Sequence, residues 1–443
     1  MSNKSKGTYY IETYGCQMNE HDSEKMAALL DELGMAPVGS ADEAEVVVIN
    51  TCSIREKAEH KVYSALGRLK PLKAKNPGMV TIVAGCVAQQ ERERLLKRTD
   101  HLDIVLGTHC IAELKELIER TRRTRQKVNR TEFYPDAKCL HMSAPAKGPS
   151  PVCSYVTIMQ GCSNFCAYCV VPFTRGPEQS RPSASIAAEV RDLADKGIRE
   201  ITLLGQNVNA YGKDRPGEIS FAQLLGMLDG TPELARIRFT TSHPRDFTPD
   251  LIVAMARLEK VCEHIHLPLQ SGSDRILAAM GRGYTIEDYL HKIRSLRDRI
   301  PGVAITADMI VGFPGETEED FHDTLSALEE IRFDQIFSFK YSARPRTAAA
   351  KFPHQIDEQN RAERLARVHE LQERITGEYH DAAVGRIEEV LIEGLRPGSG
   401  QAFGRTRTNK IVNLDSSENV SIGDLVEVRI SRGLKHSLTG ALT

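Results

Sequence analysis

The sequence predicts an α/β chain in three parts: an N-terminal sheet of parallel βα units, a central partial barrel of six βα units, and a small OB-like β-barrel at the C-terminus. Three observations predict this. Apolar segments near the N-terminus are each followed by a helical stretch; six more apolar segments between residues 156 and 345 alternate with helical stretches; and five short alternating segments, separated by turn signals, close the chain. The parts are read as 7–123, a linker over 124–147, 148–378 and 379–443.

Composition narrows the class. At 443 residues there is ample core for several domains, and a net charge of −2 excludes a uniformly basic nucleic-acid binder while leaving room for a local basic surface. No apolar run approaches the roughly 18 residues of a membrane span, and the start, MSNKSKGTYY, has no export signal, so a cytoplasmic protein is expected. Ten cysteines are too sparse for a disulfide scaffold, and a reducing compartment keeps thiols available as ligands.

Residues 8–16, TYYIETYGC, read as a strand, followed by a helix over 19–34 that stops at Gly34. The pattern recurs in VVVINTC, 46–52, with a helix from Ile54 to about Lys73, and in MVTIVAGC, 79–86, with a helix over 89–97. Each strand ends in a cysteine. Ligands of parallel sheets gather at the carboxyl ends of the strands, so Cys16, Cys52 and Cys86 should converge. Any one alone reads as a buried structural thiol; three at the same place in a repeated unit read as one site. DIVLGTHC, 103–110, looks like a fourth such strand, and spacing alone does not exclude Cys110. The basic run at 119–130, ERTRRTRQKVNR, reads as a helix end leading into the linker.

In the central part, VTIMQGCSNFCAYCVVPFTRGPEQSRP, 156–182, places Cys162, Cys166 and Cys169 directly after a strand, as CxxxCxxC. Structural zinc takes four ligands and redox motifs use two cysteines, whereas three thiolates on a four-iron cluster leave one iron open to a small molecule. Spacing leaves zinc and iron–sulfur both open. The later strands end in GQN, TSHP, QSGSDR and GFPGE, which together would line one mouth. Six units are too few to close an eight-fold barrel, hence the partial one. After a polar helical connector over 357–384, IEEVLIEG, QAFGRTRTN, KIVNLD, DLVEVRIS and KHSLTGAL read as the strands of the small barrel. Arg405, Arg407 and Lys410 form a basic ridge on it, suited to RNA phosphates.

CxxxCxxC with Tyr168 just before the last cysteine resembles the signature of radical S-adenosylmethionine (SAM) enzymes. That resemblance implies a [4Fe–4S] cluster on Cys162, Cys166 and Cys169, whose open iron binds the amino and carboxylate groups of SAM, and reductive cleavage to a 5′-deoxyadenosyl radical. It also implies that Gly205, Gln206 and Asn207 meet the methionine amino group, and that Gln270, Ser271, Ser273 and Arg275 supply polar contacts to the SAM carboxylate or ribose.

YGCQMNE, NTCSIREKA and GCVA resemble the N-terminal domain of the methylthiotransferases, where counterparts of Cys16, Cys52 and Cys86 hold a second [4Fe–4S] cluster; Cys110 has no counterpart. Cys139, Cys153 and Cys262 are also left out. The C-terminal segment resembles a TRAM domain, which implies tRNA binding. Where that family carries SARPGT-like sequence, this chain has Arg346. CQMNEHDSEKM, CVVPFTRG and LLGQNVNAYG most resemble the branch acting on dimethylallyladenosine in tRNA. Implied are a methylthio group placed on C2 of prenylated adenosine 37, an external electron donor and a monomer. The alternatives are the branches acting on threonylcarbamoyladenosine or on a ribosomal protein, and a non-enzymatic iron–sulfur RNA-binding regulator.

Overall fold

The computed structural model describes residues 7–53, 56–143, 150–396, 398–415 and 420–443. Ile54, where the second helix was expected to begin, and the segment 144–149 around the expected start of the central domain lie outside the described residues.

The N-terminal sheet is built from β1 (Thr8–Tyr14), β2 (Ala36–Pro37), β3 (Val46–Thr51), β4 (Val80–Gly85), β5 (Ile104–Leu106) and β6 (Val128–Arg130), all parallel, in the order β2-β1-β3-β4-β5-β6. β3 and β4 are buried along their whole length, as continuous β-branched runs between two helix layers require. The helix Gln17–Glu32 covers one face and Glu56–Lys75 the other, each with its own apolar cluster. Gly34 follows the first helix at φ +77°, the left-handed conformation that stops a helix.

One reading is corrected here. Part of the expected linker is domain core: residues 128–130 add the edge strand β6, and Ala137 and Cys139 are buried with the helix Leu114–Thr124. A three-residue strand inside a basic, polar run has too little apolar periodicity to be seen in the sequence.

The central domain runs through β7 (Cys153–Thr157), β8 (Met159–Gln160), β9 (Gln179–Ser180), β10 (Glu200–Leu204), β11 (Arg236–Phe239), β12 (His264–His266), β13 (Ala304–Val311) and β14 (Gln335–Lys340). β7, β10 and β11 form one parallel sheet and β12, β13 and β14 another, and an isolated parallel bridge from Ile237 to Val261 joins them. The result is the open six-unit barrel expected. Its outer helices are begun by capping boxes at Thr285/Asp288, Thr317/Asp320 and Ser220/Gln223.

The helix Glu358–Ala383 connects to a closed barrel, β15 (Ile387–Leu395), β16 (Ala402–Thr406), β17 (Ile411–Leu414), β18 (Leu425–Gly433) and β19 (Leu438–Leu442), ordered β15-β16-β17-β19-β18. All five expected strands are present. At Arg346, φ is +71°, so the turn keeps a conformation suited to glycine with an exposed arginine in it, at a cost of about 1–2 kcal/mol.

Candidate cluster and substrate site

Parallel topology puts the carboxyl ends of β1, β3 and β4 side by side, and the three cysteines follow from it. Cys16 caps the helix after β1, Cys52 follows β3, and Cys86 opens the helix after β4. The Cys52 thiol neighbours both others, which draws Cys16 down to about 7 and Cys86 to about 6 and pushes Cys52 well above the ordinary thiol value. Asn19 orders the floor of this group. It accepts from the Cys16 thiol at 3.3 Å and donates to Asn50 Oδ1 at 3.2 Å and to the Thr51 carbonyl at 3.1 Å. Gly85 is required here, at φ +88°, because a Cβ would lie 2.4 Å from Asn50 Oδ1. Cys110 and Cys139 instead belong to the apolar core, their thiols directed at backbone carbonyls and pushed up to about 12 by burial.

The second triad sits in the loop after β8. Gly161 turns the chain at φ +82°, with its would-be Cβ position 1.9 Å from the Pro177 carbonyl oxygen, so no other residue fits. The loop is then pinned from several sides: Ala167 N–H donates to Met280 O at 2.8 Å, Ala349 N–H donates to Ala167 O at 2.8 Å, and Tyr168 packs against the apolar cluster that contains Ile276, Met280, Phe313 and Tyr341. Cys162 and Cys166 are buried, and burial first, then the neighbouring charges, pushes Cys162 up to about 11 and Cys169 to about 12. Against them lies Arg282, 4% exposed, which donates from Nη1 to Cys166 Sγ at 3.5 Å and from Nη2 to Pro268 O at 2.9 Å, and stacks over Tyr284. A fixed cation beside three thiols suits a cluster whose net charge is negative. Nothing in the sequence motif pointed to Arg282.

Around this loop the strand ends supply polar atoms without partners. Gln206 Oε1 accepts from Gly161 N–H at 2.5 Å, which leaves the turn Gly205, Gln206, Asn207 wrapped against the cluster loop. Asn207 Nδ2 donates to Asp246 at 2.8 Å, Lys213 holds the other oxygen of that carboxylate at 2.5 Å, and Asn207 Oδ1 is buried with no acceptor role filled. Asn164 Nδ2, His243 Nε2 and Gln270 Oε1 are likewise buried and unpartnered, and Gln270 is held at φ +78° four residues past β12. Orphaned polar atoms in a native fold mark a missing ligand, here one with several donors and acceptors. SAM fits such a mouth.

Three of the expected SAM contacts are otherwise engaged. Ser273 caps the helix Asp274–Met280 and donates to Asp320 at 2.7 Å; Arg275 pairs with the same carboxylate and donates to Gly315 O at 2.7 Å; Ser271 faces Thr324 at 3.4 Å. They frame the turn that carries Gln270. Sequence spacing places all four at one strand end but does not say which point inward.

The expected RNA ridge is also corrected. Arg407 pairs with Glu263 at 2.7 Å and donates to the carbonyls of Glu259 and Val261; Lys410 pairs with Asp334 at 2.7 Å; and Arg405 lies 3.2 Å from Glu393. Return contacts come from Arg236 and Arg238, which donate to the carbonyls of Arg405, Thr406 and Arg407 at 2.7–2.8 Å. The ridge docks the small barrel onto the bottom of the central one. It recognises acids and carbonyls of its own chain, which charge counting cannot distinguish from phosphates. Arg407→Ala is expected to lower stability by about 1 kcal/mol, as the loss of a partly exposed, solvent-screened ion pair implies, with little change in the salt dependence of tRNA binding; denaturant titration beside binding at several salt concentrations checks both. At the same junction Cys153, Glu200 and Glu393 bring ligand atoms within 4.8 Å of one another, but Arg238 at 2.9 Å from Glu200 and Arg405 beside Glu393 neutralise them, so a cation is disfavoured.

Three family descriptions match in the order of the three domains: the uncharacterized protein family UPF0004 over residues 8–107, the radical SAM superfamily over 156–328 and the TRAM domain over 381–443. Proteins named tRNA-2-methylthio-N(6)-dimethylallyladenosine synthase from Geotalea uraniireducens and Geobacter metallireducens are 49% and 50% identical, each over 98% of this chain and 98% of their own. The chain belongs to this family of radical SAM methylthiotransferases. A third member, from Syntrophus aciditrophicus, is 48% identical over 100% of this chain and 97% of its own. The fold is shared more widely. The radical SAM methyltransferase TsrM of Kitasatospora setae superposes with a TM-score of 0.59 at 15% identity, over 77% of this chain and 75% of that one. The cobalamin-dependent SAM radical enzyme OxsB gives 0.54 at 12% identity, over 83% and 56%. Superfamily membership brings SAM and one [4Fe–4S] cluster to the enzyme.

The N-terminal and central domains meet across a buried polar seam. His21 Nδ1 lies 2.7 Å from Thr157 Oγ1, Thr108 Oγ1 donates to Thr174 O at 2.7 Å, His109 Nε2 lies 2.8 Å from Arg175 O, and Arg175 pairs with Asp22 at 2.7 Å. Met18 packs on Tyr155 and Leu204 beside Cys16. The stretch MNEHDSEK, polar enough to read as a solvated helix face, is largely buried in this seam. Arg175, in the FTRG segment just after the cluster loop, is the residue that sequence reasoning missed and that reaches the other triad.

Proposed function

We propose that this protein attaches a methylthio group to C2 of dimethylallyladenosine at position 37 of tRNA, with Cys162, Cys166 and Cys169 holding the radical SAM cluster and Cys16, Cys52 and Cys86 a second [4Fe–4S] cluster. The observation that carries the reading is the pair of three-cysteine groups on facing domains, joined by one buried seam. Each group offers three thiols and no fourth ligand is required, which leaves an open iron in each. When bound, the cluster and SAM supply a carbon radical, the reactivity that an aromatic C2–H demands because it is too weakly acidic for polar chemistry.

The chain's own residues do the rest. Asn207 and Gln270 orient SAM through their unfilled polar atoms, with Gly205 and Gln206 holding the turn against the loop, Arg282 holds compensating charge at the central triad, and the pinned loop around Gly161 fixes where its thiols stand. Phe165, 73% exposed on the cluster loop and edge-on to Phe173, offers an apolar surface to the prenyl chain or the base. An external donor supplies the reducing electron, the protein acts as a monomer in the cytoplasm, and no helix among the described residues is long and apolar enough to cross a membrane.

The test is substrate choice. Incubation with SAM, a chemical reductant and either prenylated or unprenylated tRNA, followed by nucleoside mass analysis, should give methylthiolated product from the prenylated form and little or none from the other. Equal product from both forms would refute the assignment to dimethylallyladenosine, and methylthiolation of a ribosomal protein alone would move the enzyme to another branch.

A further inference from the structure

Arg175 belongs to the central domain, yet its side chain is spent on the N-terminal one. It is 3% exposed; Nη2 donates to Asp22 Oδ2 at 2.7 Å, and that carboxylate is itself buried. The guanidinium also lies near Cys86, and its charge is felt at both Cys86 and Cys16. His109 fixes the backbone from behind through the Arg175 carbonyl. Nη1 is buried with no partner at all.

An unpaired cationic N–H in the interior costs more than a neutral one, so a fold that keeps it there supplies an acceptor from outside the chain. Arginine presents its donors as a fixed fork, and with Nη2 committed to Asp22 the direction of Nη1 is set. The helix that begins at Cys86 packs on Val171–Thr174, the turn that ends at Arg175, and the guanidinium charge is felt at Cys86 and Cys16. An acceptor there is anionic and carries sulfur, since thiolate-ligated iron–sulfur clusters are negative and are tuned by hydrogen bonds to their sulfurs.

We propose that Arg175 is a positioning residue for anionic sulfur at the N-terminal centre: Asp22 orients the guanidinium, and Nη1 donates to a sulfur of the cluster there or to sulfide bound on its open iron. This rests on the reading that Cys16, Cys52 and Cys86 hold a four-iron cluster. It makes the centre a shared one, with thiolates from the first domain and the cation from the second. Domain docking and cluster electronics are then coupled through one ion pair.

The experiment uses the full chain with Cys162, Cys166 and Cys169 replaced by alanine, so that only the N-terminal centre is loaded. Iron content and the midpoint potential of that centre are measured in this parent and in Arg175→Gln, Arg175→Lys and Asp22→Asn. Parent and variants should hold about four irons each. A cation beside the cluster favours its more negative, reduced form, so Arg175→Gln should lower the potential, Asp22→Asn should raise it, and Arg175→Lys should fall between Arg175→Gln and the parent. A merely structural ion pair predicts shifts of the same sign for Asp22→Asn and Arg175→Gln, or none either with or without added sulfide, and either result overturns the proposal. Sodium sulfide separates the two sulfurs: a shift present before its addition assigns Nη1 to the cluster, and one that appears only with sulfide assigns it to the added ligand. A parent without iron would instead refute the underlying two-cluster reading.

Discussion

Replacing Cys162, Cys166 and Cys169 together by alanine is expected to lower the iron of the anaerobically reconstituted protein from about eight to about four per chain and to abolish both 5′-deoxyadenosine and methylthiolated product. The physical reason is that the two triads share no ligand. One hangs on a loop pinned to the helix Asp274–Met280, the other on the strand ends of a separate sheet. Loss of one leaves the fold of the other intact. Iron analysis with product assays reads the result, and retention of all the iron in this variant would remove the cluster from that loop.

The reciprocal variant should split the chemistry. With Cys16, Cys52 and Cys86 replaced, about four irons should again remain, and slow uncoupled formation of 5′-deoxyadenosine should persist because Gly161, Arg282 and the orphaned atoms of Asn207 and Gln270 are untouched. Methylthiolated tRNA should be lost entirely, since nothing then holds sulfur opposite the radical site. If SAM cleavage disappeared as well, the N-terminal triad would be needed to build the central site, and the division of labour drawn between the domains would fail.

What was legible in the sequence follows from which signals are local. Strands such as VVVINT and VTIVAG are continuous apolar runs, capping boxes are four-residue patterns, and Cys162, Cys166 and Cys169 lie within one loop, so each is visible without knowing the fold. Convergence of Cys16, Cys52 and Cys86 needed only the rule that parallel strands present their carboxyl ends together. The failures are of another kind. Arg405, Arg407 and Lys410 are basic in sequence but spent against Glu393, Glu263 and Asp334, the last two 144 and 76 residues away from their partners. Asp22 and Arg175 are paired across 153 residues, and no local pattern marks either as buried. Long-range ion pairs decide both the docking of the C-terminal barrel and the environment of the N-terminal triad, and periodicity carries no information about them.

The most direct measurement is nucleoside mass analysis of bulk tRNA from cells lacking this gene, with and without a plasmid copy of the wild-type protein. The methylthiolated dimethylallyladenosine should vanish, its prenylated precursor should accumulate in its place, and the plasmid copy should restore the modified nucleoside. Unchanged methylthiolated nucleoside in the deletion strain would contradict the assignment.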